Sequence, residues 1–592
     1  MPPRSQAPKY RTETSALLTP KDNASFVSWQ SNTITDKFSL SPDPTRWGST
    51  VSPGIPEPDD ALHAPDATRV NHASHFLTGR GLANIGCLVI VALALVGLFL
   101  GYPLAKFIVD GIGSSGGMRV NATGQVASMG NFGLIDLDTP SDAYTIKSLK
   151  TGKRMQLVFS DEFNTDGRSF YPGDDPYWEA ENLHYWSTNN MEWYDPVAVT
   201  TANGSLKITL SATPTNGLNY RGGLLTSWQV WRFPSLPDSQ RPAGINFASR
   251  AAFSSPLRNC PAPTTFMAQS LWPAFWAMGN LGRAGYGASL DGMWPYTYDA
   301  CDVGTAPNQT RNGLPTIAMT SGDNDPTHIY HGELSYLPGQ RLSRCTCPGE
   351  SHPGPIHKDG SYVGRAAPEI DVFEAQMIDE KGKPIVGGVS QSGQWAPFNA
   401  AYMWFNTSDN LIIPDPSIST LNTYIGGAYQ QATSVVSQTN QRCYELLENC
   451  FSVYGFEYKP GFGDAYISWI TDNKIAWTIN AAGLAADPQT EIAARPVPQE
   501  PMYIIANLGM SPNFGFVDLE HLTFPTTLSI DYVRVYQYPD SINIGCDPPD
   551  FPTQAYINTY IEAYTNPLLT TWVDDYKQTI PKNSFVEQCQ AS

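Results

Sequence analysis

From Gly81 to Tyr102 the chain carries no charged side chain, and the run Cys87-Leu-Val-Ile-Val-Ala-Leu-Ala-Leu-Val-Gly-Leu-Phe-Leu100 within it is apolar on every face. About 22 residues rising roughly 1.5 Å each give about 33 Å, enough to cross the hydrocarbon core of a bilayer. A surface-packed core helix would carry a polar stripe, and none is present. A cleaved leader would have its charged segment close by, not the roughly 80 residues that precede this run. The sequence therefore predicts one membrane-spanning helix over 81–103, with every other segment folding on one side or the other.

The side is set by the cysteines. Basic residues are balanced across the span, Arg69 and Arg80 before it and Lys106 and Arg119 after it, so charge does not orient the helix. Of nine cysteines, Cys87 lies in the apolar run; Cys260, Cys301, Cys345, Cys347, Cys443, Cys450, Cys546 and Cys589 all follow it. An even number confined to one side predicts disulfides in an oxidising lumen, with the pairing left open. Glycosylation sequons at Asn121, Asn203, Asn308 and Asn406 also follow the span, although Asn23 heads another before it. The expectation is a type II signal anchor of the secretory pathway (endoplasmic reticulum, Golgi or plasma membrane), its large C-terminal part lumenal or extracellular.

Residues 1–80 are rich in Ser, Thr, Pro, Asp and Asn, too polar to offset the entropy of ordering, and read as a disordered cytosolic tail. Residues 104–142 read as a stem. From 143 to 540 the texture is that of strands and turns. Charged residues are only 15% and aromatics 12%, with 49 Gly and 49 Pro to turn the chain. Gly204–Ser211 alternates apolar and polar side chains, Tyr466–Ile479 reads as two strands around Asp472-Asn473-Lys474, and Leu528–Tyr536 as a further strand. Long helical periodicity is missing, so the fold class is all-β, a sandwich. Residues 541–592 form an extension with Cys546 and Cys589, whose aromatics at 554–573 suggest a short helical piece held back by a disulfide.

A net charge of −19 repels a phosphate backbone, so nucleic acid is not an expected partner. The Gly-rich stretch 279–287 lacks the Gly-Lys-Ser/Thr of a phosphate loop. Cys345-Thr-Cys347 with His352 and His357 has a loosely zinc-like composition, but disulfides suit an oxidising lumen better, and neither metal nor cofactor is expected. Trp272, Trp276, Trp294, Trp395 and Trp404 are candidates to stack on sugar rings.

The chemistry concentrates in Glu369-Ile-Asp-Val-Phe-Glu374. In an ideal strand Glu369 and Asp371 face one way and Glu374 the other. A single bulge turns Glu374 to join them. It also shortens the effective spacing to about four residues, roughly 13 Å between Cα atoms. Two Glu side chains reaching inward then bring their carboxyls to roughly 5–6 Å, the separation of a retaining glycosidase. Such a pair divides its labour: one Glu attacks as a carboxylate, the other serves as acid and then base, and crowding raises at least one proton affinity. The bland alternative, a solvated acidic strand face, fits poorly with Ile370, Val372 and Phe373 between the charges.

This run resembles the bulged signature of glycoside hydrolase family 16. Other pieces fall in that family's order: Asp161-Glu-Phe-Asn164, Tyr220-Arg-Gly-Gly-Leu-Leu-Thr-Ser227, Trp272-Pro-Ala-Phe-Trp276, Tyr454-Gly-Phe-Glu-Tyr-Lys-Pro460 and Asp531-Tyr-Val-Arg-Val-Tyr536. The resemblance implies a β-jelly-roll sandwich with Glu369 as nucleophile, Glu374 as acid/base and Asp371 as assistant. It also implies substrate contacts from Trp272, Trp276, Gln391 and Trp395. A closer resemblance, through Gly292-Met-Trp-Pro-Tyr-Thr-Tyr-Asp299, Ser390-Gln-Ser-Gly-Gln-Trp-Ala-Pro-Phe398 and the Cys-bearing extension, is to the fungal β-1,6-glucan synthesis-associated proteins, the killer-toxin-resistance family. It implies a retaining hydrolase or transglycosylase acting on β-glucan or a precursor glycan, with glucan-assembly proteins as partners. A non-catalytic glucan-binding or assembly factor and a glycoprotein-processing glucosidase are the alternatives. Residues 277–368, an insert between Trp276 and Glu369, depart from the hydrolase pattern and are placed to reshape or cover the cleft.

Overall fold

The computed structural model describes residues 89, 133–228, 248–254, 271–320, 334–378, 386–399, 404–444, 448, 450–543 and 547–589. The chain divides into two compact units, and of Met1–Gly117 only Val89, which is helical, is described. The candidate span, the tail before it, most of the stem, Asn121, Cys260 and Cys546 therefore lie outside the described residues. Among the described residues no helix is long and apolar enough to cross a membrane.

Thirteen strands of five or more residues build the second unit: β1 (Arg154–Asp161), β2 (Leu206–Leu210), β3 (Tyr220–Thr226), β4 (Ala248–Ser254), β5 (Trp272–Gly279), β6 (Glu369–Ile378), β7 (Val386–Trp395), β8 (Gln430–Gln438), β9 (Ser452–Lys459), β10 (Tyr466–Thr471), β11 (Lys474–Asn480), β12 (Met502–Gly509) and β13 (Thr526–Gln537). They form two sheets. The front sheet runs β8-β7-β6-β5-β12-β3 and the back sheet β1-β13-β4-β9-β10-β11, with β2 also on β13; these pairings are antiparallel. The all-β sandwich expected from the sequence is what forms.

Local chemistry explains the strands. Leu206, Ile208 and Leu210 are buried while Lys207 and Thr209 are half-buried, the signature of a strand with one face on a core. β10 and β11 are joined through Asp472 and Asn473, both at positive φ (47° and 62°), residue types that tolerate the left-handed region a tight hairpin needs.

The inter-sheet core takes Phe275, Ile370, Val372, Phe373, Val389, Trp395 and Val435 from the front and Phe456, Ile467, Trp469, Trp477, Ile530 and Val535 from the back. Trp469 and Trp477 stack with ring centroids 4.1 Å apart, and the Trp469 indole N–H donates to the backbone carbonyl of Asp371 at 2.8 Å. The back sheet thereby holds the carboxylate strand by its main chain. Truncating a fully buried Trp typically costs roughly 3–5 kcal/mol, so this contact fixes the alignment of the sheets firmly.

A second cluster covers the opposite face of the front sheet. Ala274, Trp276, Met278, Tyr503 and Ile505 meet Leu281, Met293 and Leu342 of the insert and Tyr556, Ile557, Tyr564 and Trp572 of the extension. Two short helices, Gln554–Thr559 and Ile561–Thr565, carry part of that contact. Disulfides join Cys301 to Cys345, Cys347 to Cys589 and Cys443 to Cys450; the second ties insert to extension across 242 residues. Cys345 and Cys347 are thus engaged as disulfides. Buried Arg365 donates to Glu500 at 2.7 and 2.8 Å and to the Pro552 carbonyl, closing the same seam.

Candidate active site

Across β5 and β6 the facing pairs are Met278 with Glu369, Trp276 with Asp371 and Ala274 with Glu374; across β6 and β7 they are Glu369 with Gln394, Asp371 with Ser392 and Glu374 with Ser390. Between Asp371 and Glu374 the register shifts, three residues of β6 advancing against two of β7. This is the bulge supposed from the sequence, needed to bring Glu374 to the face of Asp371. Its cause is apolar: Val372 and Phe373, adjacent in sequence, are both buried among inter-sheet core residues, where the Phe373 ring lies 5.1 Å from that of Tyr454. Burying two consecutive side chains on the core side brings Glu374 round to the outer face beside Asp371.

There the carboxylates form one hydrogen-bonded row. The Trp294 indole N–H donates to Glu369 Oε2. Glu369 and Asp371 share a hydrogen bond. Ser392 Oγ donates to Asp371 Oδ2 at 2.6 Å and lies 3.4 Å from Glu374 Oε2. Gln394 Nε2 adds a bond to Asp371 Oδ2 at 3.1 Å. The Trp272 indole N–H closes the row on Glu374 Oε1 at 3.0 Å, its ring stacked on Phe514 at 4.4 Å. Asp371 is buried, whereas Glu369 and Glu374 are half-buried and each keeps an edge open. The described part of the insert therefore borders the carboxylates without sealing them, and it contributes Trp294.

Electrostatics follow from this crowding. Burial, then repulsion from Asp371, holds Glu369 well above the usual carboxylate range, against the pull of Trp294. Asp371 is also raised by burial, opposed by its bonds from Ser392 and Gln394. Burial and Asp371 push Glu374 up to about 8. Three such groups cannot all ionise near neutral pH, so the row keeps protons.

The sequence-predicted substrate contacts separate by strand parity. Trp272 lies beside Glu374, half-buried. Trp276 is on the carboxylate face but mostly covered, its N–H bonded to Asn507 at 2.8 Å. Gln391 and Trp395 are corrections. Asp371 faces Ser392, so the odd-numbered residues of β7 face the core. Trp395 is fully buried with its N–H on Thr433 (2.9 Å), and Gln391 donates to the carbonyls of Val372 and Ile470. Ser392 and Gln394 occupy the positions those two were expected to fill, which the pairing of β7 with β6 decides. Trp404 too is core. Trp294, expected only as one of five tryptophans that could stack on sugar, instead donates to Glu369, and nothing local ties an insert residue to a strand 75 positions away. Of the sequons, Asn203 is exposed at a turn, and Asn308 and Asn406 are half-buried.

Fold and site together define a two-sheet β-sandwich with a hydrogen-bonded row of carboxylates open on one face. The family model described as beta-glucan synthesis-associated protein SKN1/KRE6/Sbg1 matches residues 50–589, and the chain belongs to that family. It is 42% identical over 455 residues to beta-glucan synthesis-associated protein SKN1 of Candida albicans, a match covering 76% of this chain and 54% of that protein, about half its length. To beta-glucan synthesis-associated protein KRE6 of Saccharomyces cerevisiae it is 36% identical over 592 residues, covering 96% of this chain and 74% of that protein. Similar solved structures include the catalytic domain of an endo-1,3-beta-glucanase (laminarinase) from Thermotoga petrophila, at 15% identity and a TM-score of 0.33, covering 65% of this chain and 98% of that one. Another is the endo-beta-1,3-glucanase of Pyrococcus furiosus, at 15% identity and a TM-score of 0.35, covering 68% and 99%. At such scores these likenesses carry no weight beside the two sheets themselves.

Proposed function

We propose that this chain is a retaining β-glucan hydrolase or transglycosylase of fungal cell-wall β-1,6-glucan synthesis. The observation that carries the reading is the row Glu369–Asp371–Glu374 on one open face, capped at each end by an indole N–H. The two relatives named above are both called beta-glucan synthesis-associated proteins, which supports a role on β-glucan.

Glu369 attacks the anomeric carbon. Its shared proton first shifts to Asp371, one hydrogen bond away, whose Oδ2 already accepts from Ser392 and Gln394. As the bond to the leaving sugar breaks, the protonated Glu374 gives its proton to that oxygen. The resulting glycosyl ester on Glu369 is opened by an incoming hydroxyl whose proton returns to Glu374. Water gives hydrolysis and a sugar hydroxyl gives transfer; two inversions leave the anomeric configuration retained. Incubation of the full chain with β-glucan oligosaccharides, read by proton NMR before mutarotation, should show β-configured product first. Early α product, or binding without turnover, would remove the retaining reading; the latter result favours a glucan-binding assembly factor.

The same reading places the sandwich in the lumen or outside the cell, anchored through 81–103, a placement supported by three disulfides among the described residues. Protease added to intact microsomes should trim only the N-terminal tail; digestion of the sandwich would reverse the orientation.

A further inference from the structure

The turn that delivers Trp294 is held from the far end of the chain. Trp294 N donates to the Leu290 carbonyl at 2.9 Å, so its position depends on the one-turn helix Gly287–Leu290. That helix is gripped by the extension: Ala288 N donates to the Leu569 carbonyl (2.9 Å) and Trp572 N donates to Asp291 Oδ2 (3.0 Å). Gly287 sits so close to Thr570 that a Cβ there would come within 2.5 Å of the Thr570 carbonyl oxygen. Arg341 locks the joint. Its guanidinium lies 3.6 Å from the centre of the Trp572 ring and donates to the carbonyls of Ala288 (3.1 Å) and Ser289 (3.0 Å). The extension itself is fastened to the insert by Cys347–Cys589.

We propose that Trp294 is a positioning residue for Glu369, and that the C-terminal extension belongs to the catalytic machinery because it clamps the turn that aims this indole. The proposal rests on reading Glu369 as the attacking carboxylate. An N–H donated to Glu369 favours its charged form and holds its rotamer; the extension acts only through that contact. Such a residue should affect the turnover step more than substrate affinity.

Trp294→Phe keeps a ring and loses the donor. The expected result is a fall in kcat of about 10- to 100-fold with KM changed less than about threefold. The acid limb of the pH profile should move upward, because Glu369 without its donor holds its proton to higher pH. Gly287→Ala and Asp291→Ala, which disturb the clamp, should move the same limb in the same direction. A wild-type pH profile in Trp294→Phe, or clamp variants that lose only thermal stability, would overturn the assignment. A second readout is independent of turnover. In full chain labelled with 15N at the indole nitrogens, the signal missing from Trp294→Phe should titrate with pH in wild type and stay fixed in Glu369→Gln. Titration without turnover in wild type would retain the positioning contact and sink the enzymatic reading; a signal indifferent to both pH and Glu369→Gln would sink the contact itself.

Discussion

Glu369→Gln is expected to lower turnover of β-glucan oligosaccharides by on the order of 10⁴-fold or more, the scale at which removal of one member of a covalent-catalysis unit acts. The substitution keeps size and leaves an amide able to accept the Trp294 N–H, so the loss is chemical. Binding should change little. Glu369→Ala makes the sharper test, because it opens room beside Asp371 for a small external nucleophile. Azide should restore part of the rate on a substrate with a good leaving group and yield the α-glycosyl azide, one inversion in place of two. Activity unchanged in Glu369→Gln would make catalysis at this row untenable.

Glu374→Gln should lose about 10²- to 10⁴-fold in kcat on oligosaccharides, whose sugar leaving group needs a proton, and far less on an aryl glycoside with an acidic leaving group. The pH profile adds a second check. Glu374 is pushed up to about 8, so wild-type activity should hold through neutrality and fall as pH rises past that value; the variant should lack this basic limb. Stability has a defined sign. The folded-state proton affinity is higher than the unfolded one, so ionisation penalises the native state progressively from about pH 4.5 to about 8. Glu374→Gln removes that charge. Its Tm should exceed that of wild type at pH 8, and the difference should close toward pH 4. A variant less stable than wild type at both pH values would show that Glu374 is held by favourable contacts, not by crowding.

Both expectations depend on a bulge that the sequence permits and the strand register establishes. Two adjacent apolar residues, Val372 and Phe373, sit between carboxylates that all need the outer face, and a single extra residue on that strand satisfies both demands. Strand character was equally plain at Leu206–Leu210, where alternation records which side is wet, and at the Asp472-Asn473 hairpin. Gln391 and Trp395 show where motif resemblance misleads. Both stand within the right strand, yet a side chain one position out of phase points through the sheet, and parity places them in the core with Ser392 and Gln394 outside. Polar and aromatic residue types do not announce which face they occupy; only the register does.

The sequence by itself determined the strand-built sandwich and the carboxylate trio, because each is written in residues two to five positions apart, within reach of strand geometry; the bulge that aligns the trio it only permitted, and the register decided it. Tertiary structure alone decided the partners of that trio. Trp294 reaches Glu369 from the insert, Trp469 reaches the Asp371 carbonyl from the opposite sheet, and Trp572 steadies the turn behind Trp294 from near the C-terminus. Each of these contacts closes a loop of 75 residues or more. No local propensity encodes such a meeting. It arises when two sheets, an insert and an extension bury their apolar faces against one another, and the indoles arrive where that packing leaves them.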